Sequence, residues 1–72
     1  MASVTSHRGA VTAFDEARGL GTVVGDDGRA WSFHCTRIAD GTRTIDTGTP
    51  VIFTVAPGGP GRWEATGLVK LT

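Results

Sequence analysis

The side chains suited to chemistry are few. His34 and Cys35 stand in tandem, His7 lies far upstream, Asp26 and Asp27 form an acidic pair, and Arg18, Arg29, Arg43 and Arg62 are spread along the chain. A thiol and an imidazole act as nucleophile and base only when the ring nitrogen reaches the sulfur. Neighbours on a strand point to opposite faces, so His34 and Cys35 are badly placed for this unless the strand has already ended. One cysteine and two distant histidines do not make the ligand spacing of a zinc site. Asp26-Asp27 before Gly28 is turn chemistry, and a calcium site would need more oxygen ligands. Gly19 and Gly21 flank Leu20 without a helix to follow, so they are not a dinucleotide loop. No acid–base or nucleophile–base pair converges, so a non-enzymatic protein without metal or cofactor is expected. The four arginines are either a phosphate-contacting rim or ordinary surface charge.

The elements that would carry these residues are short strands. The chain has 72 residues, enough for one domain with a small core. Eleven glycines against one methionine favour turns and strands over helices. Seven basic and seven acidic residues give formal neutrality, which argues against tight, charge-driven binding of nucleic acid. A single cysteine fits a reducing compartment, so a cytoplasmic location is expected. No apolar run approaches the roughly 20 residues that cross a bilayer, so no membrane partner is expected. Residues 1–7 read as a flexible tail without the pattern of a signal peptide, and residues 8–72 as the domain.

Arg8 to Asp15 is the first strand, with imperfect alternation that implies a bend or bulge. Gly19 to Val24 and Arg29 to His34 form a hairpin around Asp26-Asp27-Gly28, where Gly28 supplies the positive φ. Cys35 to Ile38 is a single 3₁₀ turn that tucks Ile38 into the core. Ile45 anchors the long connection from Ala39 to Gly48. Pro50 to Ala56 is the fourth strand, Pro57 to Gly61 a loop, and Arg62 to Leu71 the fifth strand. In that last strand Ala65, Gly67, Val69 and Leu71 share one parity. Trp63 shares it too, which favours packing in the core or at its rim, but it follows a Gly-Pro-Gly loop from which it could instead stack on a base. The fold class is therefore all-β, a five-stranded antiparallel Greek-key barrel, which closes to protect its edges.

The residues resemble the cold-shock domain family, whose barrel has the oligonucleotide-binding fold. The resemblance rests on Gly9, Val11 and Phe14-Asp15; on Arg18 with Gly19 and Gly21; on the Asp26-Asp27-Gly28 turn; and on Phe33-His34. It continues through Ile38, Gly41 with Arg43, Gly48 with Val51 and Phe53, and Glu64-Ala65, so it spans about residues 8 to 71. It implies binding of single-stranded RNA or DNA, and a role as RNA chaperone or as regulator of transcription or translation. Arg18, Leu20, Thr22, His34 and Arg43 would be the contacts, with Trp63 as a replacement stacker.

The departures from the family lie on the binding face. Where the family stacks bases on aromatic rings, this chain has Ala13, Leu20, Thr22, Ser32, Cys35 and Thr42. Trp31 and Phe33 sit one residue off those positions, and one residue along a strand is the opposite face, so both rings should enter the core. Stacking is worth about 1–3 kcal/mol per base, and losing roughly five stackers would weaken binding by about 5 kcal/mol. The expected function is thus weak, sequence-tolerant single-strand binding by a monomer or weak dimer. The alternative is a protein-interaction or regulatory module that kept the barrel and gave up nucleic acid.

Overall fold

The computed structural model describes residues 6–71. Five strands follow in order: β1 (His7–Asp15), β2 (Leu20–Gly25), β3 (Ala30–His34), β4 (Pro50–Gly59) and β5 (Arg62–Lys70), with a 3₁₀ turn, Cys35–Arg37, after β3. They close into a barrel in the order β1-β2-β3-β5-β4, β4 pairing back with β1. This is the all-β barrel that the strand pattern implies. One junction differs from an all-antiparallel wall: β3 and β5 run parallel, joined at Ser32 and Glu64. The reason is topological. β1, β2 and β3 form a meander and β4–β5 a hairpin, so closing the ring brings β5 beside β3 running in the same direction. Among the described residues no helix is long and apolar enough to cross a membrane.

Two irregularities set which side chains face inward. Between Val11 and Ala13, β1 carries one residue more than β2, which shifts the pairing as the broken alternation implies. In β5 the shift lies at Gly67. Thr54 pairs with Thr66, but Ile52 pairs with Val69, so three steps on β5 span two on β4. Gly67 has φ +60°, the left-handed conformation that this kind of bulge demands. The simple alternation expected for β5 is thereby corrected. Leu68 turns into the core with no exposed surface, while Val69 and Leu71 turn out.

The core holds Val11, Val23, Phe33, Ile38, Ile45, Val51, Phe53, Ala65 and Leu68. Phe33 is fully buried and Trp31 packs half-buried against the cluster, so both rings left the outer face as expected. Phe14 stacks on Phe33 with ring centres 6.0 Å apart. The tail expectation fails at His7, which begins β1 and stacks on Phe53 at 5.5 Å. Residues 1–5 of that tail lie outside the described residues. The long connection is held down by Ile38 and Ile45, and by hydrogen bonds from Gly48 N–H to the Val11 carbonyl and from Ala39 N–H to the Leu68 carbonyl.

Candidate nucleic-acid interface

The outer face of β2 and β3 is read directly from the register. Leu20 pairs with His34, Thr22 with Ser32, and Val24 with Ala30. On the other side of β2, Asp15 pairs with Leu20 and Ala13 with Thr22. The face is therefore small and polar at its centre, with Leu20 (43% exposed) as its one large apolar side chain. His34 is its one aromatic ring, and it is exposed.

His34 is held by the turn that follows it. Its Nδ1 accepts a hydrogen bond from the Thr36 backbone N–H at 3.2 Å, and the Thr36 hydroxyl lies 3.0 Å away. With Nδ1 occupied as an acceptor, the neutral ring carries its proton on Nε2, which is left as a donor. Cys35 Sγ lies 3.8 Å from the same Nδ1. The strand does end between His34 and Cys35, yet the lone pair that would activate the thiol already serves the Thr36 N–H.

Arg18 lies in the β1–β2 loop and is exposed. The loop is built on Asp15, whose Oδ1 accepts from the Ala17 and Arg18 N–H groups. The Gly19 carbonyl accepts from the Cys35 N–H at 2.8 Å, which brings the loop against the end of β3. Arg18, Leu20, Thr22 and His34 thus share one end of the face.

Arg43 comes from another segment. It is exposed in the β3–β4 connection, beside a hydrogen-bonded node. There the Thr42 hydroxyl donates to Asp40 at 2.7 Å and accepts from Lys70 Nζ at 3.1 Å, and Lys70 pairs with Asp40 at 3.2 Å. Those bonds with Thr42, its hydroxyl first and its backbone N–H second, together with Lys70, hold the Asp40 carboxyl down at about 2. The node ties the segment that carries Arg43 to the end of β5.

Trp63 is 59% exposed, so the expectation of core or rim packing is corrected. The physical reason is length. β4 runs on to Gly59 rather than stopping at Ala56, and Pro57–Trp63 and Gly59–Arg62 pair only with each other. This arm passes beyond the Ser32–Glu64 bridge, the one strand-to-strand pairing of β5 with β3. The inward parity of Trp63 therefore meets no core. It stands at the opposite end of β3 from His34, with exposed Arg62 beside it.

Two residues were missed by sequence reasoning. Arg37 and Glu64 line a cavity of about 210 Å³ with Ala56, Gly58 and Thr66. The parallel β3–β5 closure brings them together, and no local pattern announces a pairing that distant. Among the described residues no group of His, Cys, Asp or Glu could hold a metal ion. No protein-family model matches the chain, and no curated protein matches it.

Proposed function

We propose that this chain is a cold-shock-like, non-enzymatic protein of the cytoplasm that binds single-stranded nucleic acid weakly and with little sequence preference. The observation that carries the reading is the exposed ring of Trp63 on the arm between β4 and β5. Barrels with this strand order bind oligonucleotides through the face of strands 2 and 3 and the loops between strands 1 and 2 and strands 4 and 5. Here those three places hold His34 with Leu20, Arg18, and Trp63 with Arg62. One tryptophan restores part of the stacking lost from the face, about 1–3 kcal/mol.

The test is fluorescence titration with oligodeoxythymidylate and oligouridylate at two salt concentrations. Quenching with a salt-dependent Kd in the micromolar range is expected, and Trp63→Ala should remove most of the signal while the circular dichroism of the barrel is unchanged. Absence of binding at low salt would sink the reading. One observation favours the alternative of a protein-interaction module: Ile52 and Val69 sit directly opposite each other on the outer wall, 37% and 49% exposed. Capture of a single defined protein, lost on Ile52→Lys, together with failure of the titration, would support it.

A further inference from the structure

The geometry points to a guanine-reading pocket centred on the Glu64 carboxylate, with Arg37 as its phosphate contact. This rests on the single-strand-binding reading and names the base it would take at one position.

The pocket is a continuation of the β2–β3 face. Ser32 pairs with Glu64 and Glu64 with Ala56, so the outer row Ala13, Thr22, Ser32 extends across β5 to β4. Phe33 and Ala65 point inward, so Ser32 and Glu64 point out on the same side. A strand lying over Thr22 and Ser32 therefore reaches Glu64 next.

Glu64 is half-buried as a residue, and its carboxylate has no partner among the described residues. The two ion pairs there join Arg29 to Asp27 and Lys70 to Asp40. None of the side-chain hydrogen bonds involves Glu64. It lies over Gly58 so closely that a methyl group there would overlap the carboxylate. Arg37 lines the same cavity, exposed and in neither ion pair.

A carboxylate offers two acceptors side by side and no donor. Guanine is the base whose Watson–Crick edge offers two adjacent donors, N1–H and N2–H. Adenine and cytosine offer one amino donor beside a ring acceptor, and uracil one N–H between two carbonyls, so each sets an acceptor against a carboxylate oxygen. Single-stranded bases expose this edge for such reading. Ala56, Gly58 and Thr66 line the cavity beside the carboxylate, and Arg37 supplies a cation for a phosphate oxygen.

The test is titration of guanosine, inosine, adenosine, cytidine and uridine 5′-monophosphates into the whole chain, followed by the amide NMR shifts of Gly58, Glu64 and Thr66. Guanosine monophosphate should bind roughly tenfold more tightly than the adenosine, cytidine and uridine forms, as a bidentate base contact implies. Inosine, which keeps N1–H and lacks the amino group, should fall between. Glu64→Gln, whose amide sets a donor beside an acceptor, should lose the guanine preference in favour of adenosine and cytidine monophosphates, and Gly58→Ala, which displaces the carboxylate, should level the series. Equal affinities, or a guanine preference that survives Glu64→Gln, would overturn the inference. Oligodeoxythymidylate contains no guanine and reports the broader function separately. Its binding without a guanine preference overturns the pocket alone. A guanine preference without its binding upholds the pocket and overturns the single-strand reading.

Discussion

At the scale of the residue, His34 does two things with two nitrogens. Nδ1 closes the turn by accepting from the Thr36 N–H, and Nε2 lies near Gly19 with no hydrogen bond among the described residues. A substitution series separates the roles. His34→Ala removes both, so it should lower stability by about 0.5–1 kcal/mol, the usual worth of a cap, and weaken oligonucleotide binding as well. His34→Asn keeps an acceptor for the Thr36 N–H and removes the ring. Its urea midpoint should stay close to that of the parent while binding weakens roughly fivefold, about 1 kcal/mol. Equal losses of stability in the two variants would show that the cap bond does not matter. His34 was legible in the sequence because it follows Phe33 within the short motif that carries the family resemblance. Glu64 was not, since nothing near it in the chain reveals that Ser32 is its partner.

At the scale of the element, the connection between β3 and β4 behaves as part of the wall. Ile38 and Ile45 pin it from below, and Asp40, Thr42 and Lys70 pin it from outside. Because the Asp40 carboxyl titrates at about 2 when folded, below its ordinary value, its contribution is complete above the unfolded value near 4. The contribution is lost as pH falls through 2. A carbon-detected NMR titration of the Asp40 carboxyl should give a midpoint near 2, with the Thr42 amide moving alongside. The group is exposed, so global unfolding should shift little between Asp40→Asn and the parent. The hairpin of β2 and β3 was legible because Asp26, Asp27 and Gly28 specify it within three residues. β5 was legible in extent but not in facing, because the Gly67 bulge exchanges Leu68 and Val69 between core and solvent. Trp63 was misplaced for a related reason: parity tells which side a residue faces, not whether anything lies there.

At the scale of the whole molecule, five strands were readable as a closed barrel from turn chemistry and alternation, while the parallel pairing of β3 with β5 that closes it was not. The wall is joined by antiparallel ladders on four sides, but on the fifth by Ser32–Glu64 and by an isolated bridge from Ile38 to Leu68. Those contacts link segments about thirty residues apart in the chain and the β1–β4 ladder joins segments forty or more apart, whereas the meander and the β4–β5 hairpin are local. Loop-closure entropy makes distant contacts form after near ones. The seam therefore has a place in time as well as in space. The two local units should assemble first, and the two non-local sides, β1–β4 and β3–β5, close after them. Stopped-flow kinetics on conservative variants can see this order. Ile38→Val should speed unfolding and barely touch folding, with φ below about 0.3, whereas Val23→Ala in the meander should slow folding. Before the seam shuts, Glu64 and Ser32 are not neighbours, so the continuous outer row from β1 to β4 comes into existence only after the two local units have formed.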